Sequence, residues 1–230
     1  MELQDFAAPS DPRRQRRLDA GRLRRALTCS FAAILVLLGI HAAVGNSDAV
    51  APFAVQPHTA SGLIGILTAP LLHASWDHVL SNAIAILILG TLAGSVYPRA
   101  SLRALPLLWL GSGIGAWLLG HAGEHHLGAS GVTHGLMYLT LTLGILRRER
   151  SAVAAAMIVF LLYGGMVMAV LPLQEGVSWQ SHLGGAIAGV ISAFVFRHAD
   201  PAQPRRVYSY ELDEEEATTD TDSSPFKHGE

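Results

Sequence analysis

The chain has 230 residues, of which 50% are hydrophobic and 15% charged, with a formal net charge of −2 and a mean hydropathy of +0.36. Soluble globular domains carry about 25% charged residues, and disordered chains are poorer in apolar side chains, so both classes are excluded. The single cysteine, Cys29, excludes a disulfide framework and any cysteine-rich zinc module. It is not a lipoprotein cysteine either, because the apolar run follows it. The 23 glycines suit helices that pack closely in a bilayer. These properties define an all-α, polytopic membrane protein.

A membrane helix needs about 20 mostly apolar residues. In chain order, the segments that meet or approach this lie near 26–44, 78–96, 104–120, 129–146, 152–172 and 180–196, which predicts a six-transmembrane-helix bundle. The first span is too long for a cleavable signal peptide and leads into further spans. Residues 61–72 (SGLIGILTAPLL) are apolar but too short to cross, and we read them as an interfacial segment in the first outer loop. The chain then divides into a basic N-terminal tail (1–25), a membrane core (26–197) and an acidic C-terminal tail (198–230) expected to be disordered and solvated.

Lysine and arginine set the orientation. All 16 fall on one side of this arrangement: seven between Arg13 and Arg25, then Arg99, Arg103, Arg147, Arg148, Arg150, Arg197, Arg205, Arg206 and Lys227. The opposite loops, near 45–77, 121–128 and 173–179, carry none. Both termini are therefore expected in the cytoplasm, with the basic tail near anionic headgroups. That tail is not a transit peptide, since it carries Glu2, Asp5, Asp11 and Asp19. A bare membrane core without an organelle presequence points to a bacterial plasma membrane, with the lipid bilayer and no nucleic acid as surroundings.

No Asp, Glu, Lys or Arg lies within the predicted spans, which argues against a pump or ion-coupled transporter. The polar residues that do lie inside cluster at one depth. His78 and Asn82 occupy the outer end of span two, Ser130 and His134 the first turns of span four, and His182 the first turn of span six. At 1.5 Å per residue, all lie within about 10 Å of the outer boundary. Each has a plain structural explanation. Gly128 to Gly131 are small residues that let helices approach, as are Gly185 and Gly189 in a GxxxG spacing. His78 and Asn82, at i and i+4, bridge helices by hydrogen bonds; His182 snorkels to water. Together they are harder to dismiss, because burying several imidazoles and an amide without shared partners costs several kcal/mol.

The same residues can cut a peptide bond. Nucleophilic catalysis needs a hydroxyl, a base within hydrogen-bond reach and donors for the oxyanion. Ser130 supplies the hydroxyl, and its backbone N–H is an unpaired helix-start donor. His182 is the candidate base, and His78 and Asn82 are candidate donors. With no acid in the spans, the unit is a Ser–His dyad.

In combination, HASWDHVLSN (His73, His78, Asn82), GASG around Ser130, and SHLGGAIAG from His182 to Gly189 resemble the rhomboid intramembrane serine proteases, over roughly residues 65–196. The resemblance implies Ser130 as nucleophile, His182 as base, and His78 and Asn82 as oxyanion donors beside the serine amide, with Gly128, Gly131, Gly185 and Gly189 as motif glycines. It implies no cofactor and no metal, and single-span membrane proteins as substrates. Two features depart from the family. Where a tyrosine commonly follows the serine by four residues and stacks on the base, this chain has His134, expected to pack against or hydrogen-bond His182 and so to modulate it. The first outer loop also lacks the family's Trp-Arg pair.

Two rival functions exist. His121-Ala122-Gly123-Glu124-His125 fits the H-x-x-E-H zinc-protease pattern with His126 adjacent, but Gly123 interrupts it, and a solvated polar loop is expected. The alternative is a non-catalytic rhomboid-like adaptor that binds membrane helices. Such relatives typically lack the serine or the histidine, and this chain has both.

Overall fold

The first apolar run belongs to a longer helix. In the computed structural model, which describes residues 12–45, 50–174 and 176–201, α1 spans Pro12–Val44. The Arg-rich stretch thus forms the opening turns of α1 and not a separate tail. Residues 1–11 of the expected N-terminal tail and 202–230 of the acidic tail lie outside the described residues. The compact unit that carries the site runs from Leu18 to Ala202.

After α1 come the short helix α2 (Gly62–Thr68), closed by a 3-10 turn at Ala69–Leu71, and α3 (Trp76–Val96). Ser75 starts α3 as its N-cap, its hydroxyl accepting from the His78 N–H at 3.2 Å, and Asp77 sits in the first turn, where the helix dipole favours an acid. A π-helical turn at Ile86–Gly90 interrupts α3. It is where Ser30 of α1 comes closest: a Cβ on Gly90 would meet Ser30 Oγ at 2.7 Å. α4 (Pro98–Leu119) opens with proline at its first position, where no N–H is needed. The Asp200 carboxylate caps the next two donors, Arg99 N at 3.0 Å and Ala100 N at 2.9 Å. α5 (Ser130–Arg147) ends at Arg148 in the left-handed region, φ 54°. α6 (Arg150–Tyr163) tightens into a 3-10 stretch, Gly164–Val170, and α7 is Trp179–Phe196.

Among the described residues, α1, α3, α4, α6 with its 3-10 extension, and α7 are long and apolar enough to cross a membrane. The expected span near 129–146 differs in kind. It is a helix of 18 residues, but it carries Thr133, His134 and Thr140 and buries eleven of its side chains or glycines inside the bundle. Surrounded by protein, α5 does not need the uniformly apolar surface that lipid demands of the other helices. The chain is thus an all-helical bundle with the serine-bearing helix at its centre. The β geometry among the described residues is a single antiparallel bridge between Val55 and His126.

Helix association in a bilayer is driven by packing rather than by the hydrophobic effect, and the glycines are placed accordingly. α7 packs most extensively against α4 and α5. A Cβ on Gly185 would collide with the carbonyl of Gly131, and one on Gly189 with that of Gly135. On the other side of α7, Gly184 meets the backbone of Gly111 and Gly115. Farther from Ser130, Leu89, Tyr97, Leu108, Met137, Leu139 and Leu143 fill the interior at under 2% exposure. The segment read as interfacial runs beside α4, held by Trp109 Nε1 to the Leu67 carbonyl (3.2 Å), and Trp117 Nε1 donates to the carbonyl of Thr59 just before it (2.9 Å).

Candidate active site

Ser130 is the first residue of α5, and its carbonyl accepts from Thr133 Oγ1 at 2.8 Å and His134 Nδ1 at 2.7 Å. The chain enters that helix through Gly128 at φ 114°, a backbone region that favours glycine. Gly128 N donates to the Ala69 carbonyl at 2.9 Å, and Ala129 N points to His73 Nε2 at 3.4 Å. His73 is fully buried and sits before α3. Burial, with His78 and His41 nearby, pushes its pKa down to about 4, so it is the neutral acceptor this contact requires.

The hydroxyl of Ser130 lies 2.9 Å from His182 Nε2. The other ring nitrogen, Nδ1, is 3.0 Å from the carbonyl of Ala169. A carbonyl only accepts, so Nδ1 carries the proton and Nε2 presents its lone pair to Ser130. This is the tautomer a general base needs. The ring of His134 stacks on that of His182, with centroids 3.8 Å apart and planes inclined by 12°. Of the two contacts expected of His134, the structure has the packing one, and its hydrogen bond goes to the Ser130 carbonyl.

His78 and Asn82 reach the same place from α3. A Cβ on Gly128 would lie 2.6 Å from His78 Nε2 and 3.7 Å from Asn82 Nδ2, so both side chains lie against the residue two positions before the serine. Asn82 Nδ2 donates to the His78 carbonyl at 3.1 Å, which leaves one amide hydrogen for another acceptor. His78, Ser130 and His182 line a cavity of about 1320 Å³. The first turn of α5 adds main-chain N–H groups that have no intrahelical partner.

The motif glycines fall into two groups. Gly128 makes room for the His78 ring, whereas Gly131, Gly185 and Gly189 lie in the interface of α5 and α7, where Gly131 also faces the hydroxyls of Ser112 and Ser181. Those two hydroxyls are 2.7 Å apart.

The His121–His126 stretch is a loop, but it is not solvated throughout. His126 is buried, pairs with Val55 through two main-chain bonds of 2.9 Å, and lies 2.7 Å from Ser178 Oγ through Nδ1. Its Nε2 is 3.1 Å from Glu124 Oε2. The His121 N–H donates to the same carboxylate at 2.9 Å and holds its pKa below the usual range. Among the described residues, no group of three or more His, Cys, Asp or Glu side chains is arranged to hold a metal ion. His126, Ser178 and Gln180 were not among the site residues expected from sequence, and their signal is positional: His126 precedes Ser130 by four residues, and Ser178 precedes His182 by four.

The fold and site define a helical membrane bundle in which Ser130, at the start of a central helix, faces a cavity and meets the buried imidazole of His182. The family model described as the Rhomboid domain matches residues 60–199, more than half of the chain. The chain belongs to the rhomboid family. Uncharacterized proteins of Mycobacterium bovis and Mycobacterium tuberculosis are each 36% identical to it over 149 residues, 61% of this chain and 62% of theirs. One of Mycobacterium leprae is 36% identical over 141 residues, 58% of this chain and 56% of its own. The chain therefore spans less than two thirds of the length of these relatives.

Proposed function

We propose that this protein is an intramembrane serine endopeptidase that cuts membrane-spanning segments of single-span proteins with a Ser130–His182 dyad. The observation that carries this reading is the 2.9 Å contact from Ser130 Oγ to His182 Nε2, on an imidazole whose other nitrogen is tied to the Ala169 carbonyl. Ser130 Oγ attacks the scissile carbonyl carbon as its proton passes to His182 Nε2. The oxyanion collects hydrogen bonds from the Ser130 N–H, His78 and Asn82. The C–N bond then breaks, with His182 returning the proton to the departing amine. Water from the 1320 Å³ cavity hydrolyses the acyl-enzyme by the same proton path in reverse. The reaction needs no cofactor.

The segregation of all 16 basic residues supports both termini in the cytoplasm with the cavity opening on the other side. The test is a fluorophosphonate probe on the purified full-length chain, in which Ser130 Oγ displaces fluoride and its proton leaves through His182. Labelling of the wild type that is lost in both Ser130→Ala and His182→Ala supports the proposal. Equal labelling of the variants overturns it, and a folded wild type that stays unlabelled favours the helix-binding adaptor.

A further inference from the structure

Beyond the dyad, the two elements that carry it meet a second time. Ser178 Oγ lies 2.7 Å from His126 Nδ1, close to the 2.9 Å of Ser130 and His182. The chemical types are exchanged: here the loop supplies the imidazole and the helix the hydroxyl. Each partner stands four residues before its counterpart in the dyad, and on α7 that offset is about one helical turn. Glu124 sits behind His126, 3.1 Å from Nε2. The Nε2–carboxylate approach lacks hydrogen-bond geometry, so Glu124 acts on the ring through its charge, while Nδ1 makes the 2.7 Å contact with the Ser178 hydroxyl. The same carboxylate accepts from Gln180 Nε2 at 3.4 Å, which adds a second tie between the loop and the first turn of α7.

The other tie on the base lies at the edge of the bundle. The acceptor for His182 Nδ1 is Ala169, in the 3-10 stretch Gly164–Val170, none of whose residues is buried. His126, in contrast, is anchored by the two-bond bridge to Val55. Ser178 holds the N-cap position of α7 without a side-chain cap bond, and its carbonyl takes the main-chain N–H of His182 at 3.2 Å. A movement of Ser178 is therefore transmitted directly to the backbone of the base.

We propose that Glu124, His126 and Ser178 form a positioning network that fixes the first turn of α7 against the loop entering Ser130, and so sets the alignment of the dyad. The inference rests on the dyad reading above. None of the three residues touches the reacting atoms; each acts through His182. All three line the cavity beside Ser130 and His182, and a network that acts through alignment changes the rate of the chemical step more than the occupancy of that cavity. A 1 Å error in such a contact costs up to about 10² in rate.

The experiment is the concentration dependence of fluorophosphonate labelling on the full-length chain in lipid nanodiscs, which separates the maximal rate from the half-saturating concentration. Ser178→Ala is expected to lower the maximal rate at Ser130 about tenfold, a larger change than in half-saturation, with the thermal midpoint lowered by no more than a few degrees. Ser178→Thr, which keeps the hydroxyl, restores the rate to within about threefold of wild type. His126→Phe lowers the rate as Ser178→Ala does, and the double variant shows no further loss, since the two act as one unit. A wild-type rate in Ser178→Ala, additive losses in the double variant, or equal losses in the Ala and Thr variants overturn the network while Ser130 labelling still stands. Failure of the dyad itself is seen separately, as a wild type that is unlabelled or a Ser130→Ala protein that is labelled.

Discussion

The imidazoles of His134 and His182 lie face to face, 3.8 Å between centroids and 12° from parallel, while His134 Nδ1 donates to the carbonyl of Ser130. One side chain therefore contacts both Ser130 and His182. Ring contacts of this kind are worth about 0.5–1.5 kcal/mol. His134→Ala is expected to slow fluorophosphonate labelling about 3- to 10-fold. His134→Phe, which keeps a flat face but loses the donor, falls between Ala and wild type. Measurement of the maximal labelling rate for the three proteins checks the order.

His78 and Asn82 flank Gly128, from where they can donate to an oxyanion held at the start of α5. His78→Ala and Asn82→Ala should each reduce the rate at Ser130 by about 10²–10³, without displacing the thermal midpoint by more than a few degrees. A loss of midpoint that matches the loss of rate would make them helix-bridging residues only.

Gly128 combines φ 114° with a Cβ position 2.6 Å from His78 Nε2. Gly128→Ala places a side chain in a backbone region that costs about 1–2 kcal/mol and pushes the His78 ring away. Both labelling and thermal stability should fall, whereas Gly123→Ala, which meets no atom within 4 Å but has φ 89°, should lower stability alone.

His73 carries a sign that can be worked out. Its folded pKa is about 4 against 6.5 unperturbed, with burial the main cause. Between those values the unfolded chain binds the extra proton and the folded one does not. Stability therefore rises with pH through that window and is lost as pH falls from about 6.5 to 4, by about 3 kcal/mol at most. Thermal midpoints of wild type should drop over this range, and those of His73→Gln should drop less. A parallel pair of curves would count against the assignment.

Asp200 closes the opposite end of the bundle. Its carboxylate caps α4, and its carbonyl receives Arg147 Nη1 at 3.0 Å. Arg147 also binds Glu149 at 2.6 Å and lies over the ring of Tyr97. Asp200→Ala is expected to cost about 1 kcal/mol, seen as a lower thermal midpoint with labelling intact. Asp200→Asn should recover about half of the loss.

Hydropathy located every helix that crosses or fills the bundle, because a chain in lipid must satisfy its backbone within each segment. It was less informative where protein replaces lipid. α5 is enclosed, so its polar content reflects its neighbours and not the bilayer. The start of α1 was hidden by charge: the Arg-rich stretch looks like a tail, yet Arg, Leu and Ala are good helix formers and the helix continues back to Pro12. Ser130, His182, His78 and Asn82 stood out as polar groups at one depth. The link from His126 to Ser178 did not, because it joins residues 52 apart in sequence, and no period or motif within either segment reports such a distance. For His134, the spacing from Ser130 indicated the shared face, but whether the ring stacks on His182 or hydrogen-bonds to it depends on how α5 and α7 meet.

The packing of α5 on α7 uses main chain against main chain, with Gly131 and Gly135 opposed to Gly185 and Gly189. The separation of the two helices is then a property of the polypeptide itself, independent of which side chains cover the outside. A randomised library that holds these four positions constant can replace much of the lipid-facing surface while the spacing between Ser130 and His182 is inherited unchanged. One methyl group at Gly185 would alter that spacing in every member of the library.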